Sequence, residues 1–244
     1  MFSFATKFLP CESGFHLARQ AGFPAAEFWL DGTLVADWRR IAEIALRFPF
    51  RYALHFPNKG EFQADDLRDS ADLYHAIDSS ALVMHPPMYE RYGAALLRID
   101  PSLRLAIENG ILNPQQLPQW AETYPGLTLD VEHVWKYTLG DGPLEDLLSE
   151  VESILSNFGH KLYHVHLPGY QCDGQEQHPL YFNPELARAV LTLLADHGYQ
   201  QLVVSEANQE FQTREHLRRD MDLFDAWHAA RPTNARRNVR TAVR

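Results

Sequence analysis

The 244-residue sequence predicts an α/β fold, a single (β/α)8 TIM barrel, from three observations. Short β-rich runs alternate with amphipathic segments of helical length along the whole chain. Eight such units occur, a number that suits either a closed barrel or a doubly wound open sheet. The sequence contains neither the GxGxxG motif nor the P-loop of nucleotide-binding open sheets, and this favours the barrel.

The predicted strands are bounded by turn residues and have the length of buried strands. They cover residues 2–7, 25–30, 52–56, 81–85, 103–108, 127–131, 162–166 and 202–206. Helical periodicity lies between them, in residues 35–48, 67–77, 115–123, 144–157, 184–197 and 214–228. The helix at 184–197 has the clearest boundaries, because Asn183 can cap its start, Pro184 suits the first helical position and Gly198 can end it.

The connecting segments predict one domain. Most are short links rich in Gly, Pro, Asp or Asn, such as residues 31–33, 85–87 and 140–143. None is long enough to separate two domains, so we assign residues 1–230 to the barrel. Residues 231–244 contain five arginines and are predicted to form a basic, flexible C-terminal tail. The longest irregular stretch is 167–182, and long loops in compact domains often carry function.

Composition narrows the classes of function. The net charge of −10 disfavours binding to duplex DNA, which needs clustered Lys and Arg, but it is compatible with one small anionic substrate. No apolar run is long enough to span a membrane, and the N-terminus lacks the pattern of a signal peptide. The two cysteines, Cys11 and Cys172, suggest no disulfide framework. We therefore expect a cytoplasmic protein that acts on a small molecule and has no membrane partner.

Residues of the kinds that bind metal ions lie at or near the ends of seven predicted strands. Because barrel strands all end on one face, residues far apart in sequence can share a pocket there. Imidazole and carboxylate ligands together suit transition metals better than Ca²⁺ or Mg²⁺, so we expect Zn²⁺ first, with Mn²⁺, Co²⁺ or Fe²⁺ as alternatives. The strand-end residues are Glu27, His55, His85, Glu108, Asp130, His133, His166 and Glu206.

Two more candidate ligands, Glu176 and His178, lie in the loop after the seventh strand and could fold back over the pocket. The alternative is a solvated polar loop. His164 shares one face of its strand with His166, and His166 is the preferred ligand because it lies at the strand end. Glu132 is expected to point away from the site. The remaining histidines are interpreted as surface or packing residues: His16, His75, His160, His197, His216 and His228.

Five sequence blocks have an order and spacing typical of one group of barrels. They are ARQAGFPAAEF at 18–28, AIEN at 106–109, DVEH at 130–133, HVHL at 164–167 and SEA at 205–207. In these blocks, which span nearly the whole chain, the sequence resembles the xylose isomerase-like superfamily. That superfamily includes sugar and sugar phosphate isomerases and epimerases, and the endonuclease IV type of apurinic-site nuclease (AP endonuclease family 2).

The resemblance implies a role for each matching residue. The sugar isomerases have a metal site with four ligands, and the residues that resemble them here are Glu108, Asp130, His166 and Glu206. The trinuclear zinc nucleases have additional ligands, and the residues that resemble those are His55, His85, Glu176 and His178. His133 resembles a histidine that contacts the substrate or a second metal. The sequence departs from the nucleases in having Glu176 where they have Asp, and it lacks the arginine that many epimerases carry after the strand-seven histidine.

Three functions are compatible with these residues. With several metal ions, the prediction is hydrolysis of a phosphoester or phosphodiester in a small nucleotide- or cofactor-like molecule, with Glu108, Glu206 and His133 as catalytic residues. With one ion, a sugar or sugar phosphate isomerase or epimerase is the alternative, in which a carboxylate moves a proton between neighbouring carbons. A metal-binding protein without catalysis is the third. The surplus of ligands favours hydrolysis.

Candidate substrate contacts lie close to the predicted strand ends. Lys7 could place positive charge beside an anionic substrate, although surface lysines also serve solubility. Glu27 and the aromatic residues Trp29 and Trp135 lie near the predicted rim, where they would suit a sugar. Rim aromatics are as often packing residues.

Overall fold

Eight parallel strands form a closed barrel in the computed structural model, which describes residues 1–171 and 175–231. The strands are β1 Ser3–Phe8, β2 Ala25–Trp29, β3 Arg51–His55, β4 Leu82–Met84, β5 Leu105–Glu108, β6 Leu127–Asp130, β7 Leu162–His166 and β8 Leu202–Ser205. Each strand pairs with the next, and β8 pairs with β1. The predicted (β/α)8 barrel is confirmed.

Helices surround the barrel. They are α1 Glu12–Ala21, α2 Gly32–Ala36, α3 Trp38–Ala45, α4 Ala64–Ala76, α5 Pro86–Met88, α6 Ala94–Ile99, α7 Gln116–Thr123, α8 Val131–His133, α9 Leu144–Phe158, α10 Pro184–Asp196 and α11 Arg214–Ala230. A π-helical turn at Tyr89–Gly93 joins α5 to α6, and another at Val134–Thr138 extends α8. No helix in the described ranges is long and apolar enough to cross a membrane.

The segment 231–244 stays a predicted tail. Arg231 is described, and its guanidinium lies 2.7 Å from Asp196 in an ion pair. Residues 232–244 and Cys172 lie outside the described residues.

Several element boundaries differ from the sequence prediction. Residues 85–87 are not a link: Pro86 and Pro87 form the first turn of α5, where the missing proline N–H costs nothing. His133, predicted near the end of the sixth strand, lies in α8, where the Asp130 carboxylate accepts a hydrogen bond from the His133 backbone N–H at 2.9 Å and caps this turn. The helix predicted at 35–48 is two helices, which meet at Asp37.

Outward-facing strand residues form the hydrophobic contacts with the helices. Phe15 of α1 is fully buried, and its ring centroid lies 5.3 Å from that of Phe8 and 5.1 Å from that of Phe28. Complete burial of such a side chain is worth about 1.5–3 kcal/mol. These contacts hold the ends of β1 and β2 against the helical layer.

Inward-facing positions form two layers inside the barrel. The lower layer is a small apolar cluster of Ala5, Ala25, Ala53, Leu202 and Val204. Small side chains are required at such positions because an eight-stranded barrel leaves little interior room. Since strands alternate with a period of two, the next inward positions are two residues further along. On the same strands these are Lys7, Glu27, His55 and Glu206. The polar site therefore lies directly above an alanine-rich floor.

Gly126, directly before β6, is closely surrounded by β5 and by the Tyr163 ring, so a larger residue there tests how these strands pack. A Cβ there would lie 2.3 Å from the Leu105 carbonyl oxygen and 2.5 Å from the Tyr163 ring. We expect Gly126→Ala to lower the free energy of unfolding by about 1–3 kcal/mol, because backbone on one side cannot move away. Gly159→Ala is the matched control, since a Cβ at Gly159 would meet no atom within 4 Å. Urea denaturation measures both variants, and equal stabilities would contradict the packing of β5 against β6.

Candidate metal centre

Buried carboxylates and imidazoles converge at the carboxyl ends of the strands. Three groups of residues have potential ligand atoms that all lie within 4.8 Å of one another. The groups are His55, His85 and Glu108; Glu108, Asp130 and His166; and Glu27, His164 and His166. The first two share Glu108, so one carboxylate stands between two sets of ligands.

Glu108, at the end of β5, is surrounded by imidazole nitrogens. Its Oε2 lies 3.1 Å from His55 Nε2, 3.5 Å from His85 Nε2 and 3.6 Å from His166 Nδ1. The side chain is buried, which alone would raise the pKa of Glu108, but its neighbours, with His166 first among them, hold that pKa well below its usual value. Glu108 is therefore an ionised carboxylate with both lone-pair directions available to cations.

The orientation of His55 points to a metal ligand. Its Nδ1 lies 2.9 Å from the Phe56 carbonyl oxygen and so donates a hydrogen bond. In the neutral ring, Nε2 then carries a lone pair 3.1 Å from Glu108 Oε2, which is also an acceptor. Burial lowers the pKa of His55, so a second ring proton is disfavoured. These two lone pairs cannot hydrogen-bond to each other, but both could bind one metal ion. Metal–ligand bonds of about 2.0–2.2 Å place two ligand atoms at about this separation.

His166, at the end of β7, is also oriented by a hydrogen bond from one of its ring nitrogens. Its Nε2 lies 3.1 Å from Glu27 Oε2 and donates to that carboxylate. Its Nδ1 faces Glu206 Oε2 at 3.0 Å and Asp130 Oδ2 at 3.9 Å. A carboxylate that fixes the far nitrogen of a histidine is the usual support of a metal-binding imidazole.

Two buried atoms at this point lack hydrogen-bond partners. Within the described residues, His166 Nδ1 and Glu206 Oε2 make no hydrogen bond, and an unpartnered buried polar atom costs about 1–3 kcal/mol. Burial lowers the pKa of His166, but Glu27, Glu206 and Glu108 together raise it well above its usual value. Either a proton or a metal ion must therefore occupy Nδ1, and metal binding displaces the proton. This donor set fits a divalent transition metal.

Asn109 ties the ends of β5 and β6 together. Its side-chain amide donates to the Asp130 carbonyl oxygen at 2.9 Å, and its Oδ1 accepts from the Asp130 backbone N–H at 2.7 Å. Its own carbonyl oxygen lies 2.8 Å from His133 Nδ1, which leaves His133 Nε2 for a ligand or substrate. Asn109 belongs to the AIEN block, but the sequence alone does not mark it as a site residue. Its three hydrogen bonds in the structure are what identify it.

Lys7 lies inside the cluster, between two carboxylates. Its Nζ is 2.7 Å from Glu206 Oε1 and 3.2 Å from Glu27 Oε1, and its side chain is only 10% exposed. Burial alone would lower the pKa of Lys7, but the charges of Glu206 and Glu27 raise it, so the ammonium stays charged. In return, although burial opposes it, Lys7 and His166 lower the pKa of Glu206 to about 2. Lys7 thus forms two buried ion pairs, and its contact with a substrate stays a prediction.

Glu27 and Trp135, two further predicted substrate contacts, both have partners within the protein. Glu27 is fully buried, with Oε1 beside Lys7 and Oε2 hydrogen-bonded to His164 and His166. Trp135 donates its Nε1–H to the Gly142 carbonyl oxygen at 2.7 Å and packs its ring on Tyr170 at 4.9 Å. Their contact with a substrate stays a prediction.

The structure does not bring Glu176 and His178 into the cluster. Glu176 Oε1 accepts a hydrogen bond from the Tyr137 hydroxyl and lies 3.2 Å from Lys136 Nζ. His178 is buried, and its ring stacks on Phe182 with centroids 5.4 Å apart. Neither belongs to any of the three ligand groups found in the described part of the chain. Glu176 is held by its hydrogen bond with Tyr137 and its ion pair with Lys136, whereas His178 is held by aromatic packing.

Gln177, between these two residues, does reach the site. Its side-chain amide donates to Glu206 Oε1 at 2.7 Å, and its backbone N–H donates to Glu132 Oε2 at 3.0 Å. Glu132 therefore anchors the loop, and it belongs to none of the three ligand groups of the described residues. Together with Lys7, Gln177 fixes Glu206 Oε1 and leaves Oε2 directed at His166. No sequence signal distinguishes Gln177 from any other loop amide.

Glu27 gives the sharpest test of this support. We expect Glu27→Gln to weaken Zn²⁺ binding about 10- to 100-fold, because the amide lacks the negative charge that supports His166 and turns its NH₂ donors either to the Lys7 ammonium or to the two histidines. Glu61→Gln is the control, since Glu61 pairs with Arg91 on the surface. Competition with a chromophoric chelator measures both affinities, and circular dichroism checks the fold. Unchanged Zn²⁺ affinity in a folded Glu27→Gln protein would contradict the supporting role.

No protein-family model and no curated protein sequence matches the chain, whereas solved structures match its fold. D-allulose 3-epimerase from Methylomonas sp., in complex with D-allulose, superposes with a TM-score of 0.61 at 13% identity, over 92% of this chain and 96% of the epimerase. Endonuclease IV from Thermus thermophilus superposes with a TM-score of 0.61 at 15% identity, over 93% of this chain and 99% of the nuclease.

Another Thermus thermophilus protein, from a crystal soaked with ZnCl₂, has a TM-score of 0.64 at 16% identity, over 95% of this chain and 100% of that protein. At these identities the likenesses concern the fold. The epimerase and the nuclease represent the two branches that the sequence blocks resemble. The chain accordingly has the fold of the xylose isomerase-like TIM barrels.

Proposed function

We propose that this protein is a divalent-metal-dependent hydrolase that cleaves a phosphoester or phosphodiester in a small nucleotide- or cofactor-like molecule. One observation supports this proposal above all: Glu108 belongs to two separate groups of ligand atoms. A carboxylate shared in this way suits a bridging ligand between two ions. Two-metal sites of this kind are typical of phosphoryl-transfer hydrolases.

The residues divide into two sets of ligands. One set is His55, His85 and Glu108, and the other is Glu108, Asp130 and His166, with Glu206 beside His166. Their mixture of imidazole and carboxylate favours Zn²⁺, with Mn²⁺, Co²⁺ and Fe²⁺ as alternatives. Divalent ions held there would polarise a phosphoryl group and activate water for its hydrolysis.

The cluster carries a surplus of negative charge. Four buried carboxylates, Glu27, Glu108, Asp130 and Glu206, are faced by the ammonium of Lys7. Although burial opposes it, neighbouring carboxylates raise the pKa of His133 to about 9 and that of His166 well above its usual value, so ring protons balance part of this charge. Divalent ions would displace ring protons from their ligands and would attract a phosphate to the site.

The protein's own groups would position the substrate and move protons. The imidazole of His133 is 17% exposed and its Nδ1 is held by Asn109, so Nε2 can face a phosphate oxygen or the leaving group. The carboxylate of Glu206 is oriented by Lys7 and Gln177. In this proposal His133, Glu108 and Glu206 are the catalytic residues. The net charge of −10 supports a small substrate rather than duplex DNA.

A sugar or sugar phosphate isomerase or epimerase is the second candidate. Its specific support is that Glu108, Asp130 and His166 already form one group, with Glu206 Oε2 at 3.0 Å from His166 Nδ1. These four residues are enough for one ion. Under this alternative the site of His55 and His85 would not bind metal.

Metal content and activity together test the proposal. We expect two ions per chain in protein purified without chelators, and metal-dependent hydrolysis of bis(p-nitrophenyl) phosphate. Glu108→Gln should lower kcat/KM more than about 100-fold, because it removes a ligand common to both ions. Elemental analysis and a colorimetric assay make these measurements.

The surface variant Glu61→Gln serves as the control and should keep wild-type activity. One bound ion, together with interconversion of ketose and aldose pairs, would establish the isomerase instead. Undiminished hydrolysis by Glu108→Gln would contradict the two-metal proposal.

A further inference from the structure

Trp29 places a large aromatic side chain at the mouth of the barrel. Because side chains alternate along β2, Ala25, Glu27 and Trp29 face the same way, into the barrel. Ala25 lies in the apolar floor and Glu27 is fully buried in the polar layer, whereas Trp29 is 44% exposed. Its indole therefore occupies the next inward position after Glu27, at the carboxyl end of β2.

The neighbours of Trp29 give this side of the mouth an apolar character. Trp29 is the register partner of His55 on β3, a proposed ligand. On the other side, Phe8 pairs with Phe28, so Leu9 follows beside Trp29, and it is 37% exposed. Apolar surface from β1 and β2 thus borders an otherwise polar opening.

The indole of Trp29 makes no ring or hydrogen-bond contact within the described residues. No aromatic ring stacks on it, and its Nε1–H donates no hydrogen bond. By contrast, the Nε1–H groups of Trp38 and Trp135 donate to Asp69 and Gly142. An exposed indole beside a cluster of polar ligand atoms has the properties of a ligand-stacking surface.

We propose that Trp29 stacks on a planar heteroaromatic ring of the substrate, of the nucleobase type, while the metal cluster holds the phosphate of the same molecule. This rests on the proposed hydrolase function and adds the substrate class. Any nucleobase presents a π face to an indole, which gives affinity without demanding a hydrogen-bond pattern. Neighbouring strands lie about 4.8 Å apart, so a nucleotide can reach from Trp29 to the ligands on the next strand.

The test compares three probes of Zn²⁺-loaded protein by calorimetry: inorganic phosphate, ribose 5-phosphate and adenosine 5′-monophosphate. The wild type should bind the adenine nucleotide at least about fivefold more tightly than ribose 5-phosphate. Trp29→Ala should abolish that advantage and leave the affinities for phosphate and ribose 5-phosphate unchanged. Trp29→Phe, which keeps an aromatic face, should preserve most of the advantage.

The outcomes separate the two proposals. If phosphate binds but the nucleotide has no advantage, or keeps it in Trp29→Ala, the stacking role is wrong and the hydrolase proposal stands. If Trp29→Ala weakens ribose 5-phosphate as much as the nucleotide, Trp29 contacts the sugar instead, which also overturns the inference. If the Zn²⁺-loaded wild type binds none of the three probes, the phosphate site itself is wrong. Thermal unfolding of each variant shows whether it is folded.

Discussion

The burial of four carboxylates within one barrel is the constraint on which the rest of the site depends. Glu27, Glu108, Asp130 and Glu206 are each less than 7% exposed, and a buried charge without compensation costs several kcal/mol. Lys7 compensates part of this charge by pairing with Glu27 and Glu206. Although burial opposes it, the carboxylates also raise the pKa values of His166 and His133, so protonated imidazoles compensate more of the charge. The cluster thus combines buried carboxylates with imidazole nitrogens, the two residue types that make up the three candidate ligand groups of the described residues.

The barrel supplies this convergence through the register of its strands. The same alternation that places Ala5, Ala25 and Ala53 in the floor places Lys7, Glu27 and His55 one step higher. Hydrogen bonds from other side chains hold the candidate ligands in place. Glu27 orients His166, and Asn109 holds Asp130 and His133. Strand register and buried hydrogen bonds thus set the positions of the candidate ligands.

The barrel and several residues of the cluster could be predicted from the sequence, because inward-facing residues at strand ends follow a period of two. His55, Glu108, Asp130 and His166 lie where that periodicity puts them. Glu176 and His178 do not join them, since the path of a loop depends on contacts such as that of His178 with Phe182. Lys7 and Glu27 were expected at the substrate, but their burial depends on barrel closure, which pairs β1 with both β2 and β8. Asn109 and Gln177 carry no charge that would distinguish them in a sequence.

In the proposed hydrolase, Glu108 would be a ligand of two metal ions. Anomalous diffraction at the zinc edge, from crystals of the Zn²⁺-loaded protein, shows how many ions bind and where. We expect two anomalous peaks, one beside His55 and His85 and the other beside Asp130 and His166, with Glu108 close to both. A single peak in the cluster, or zinc bound only elsewhere on the protein, would show that the site does not hold two ions.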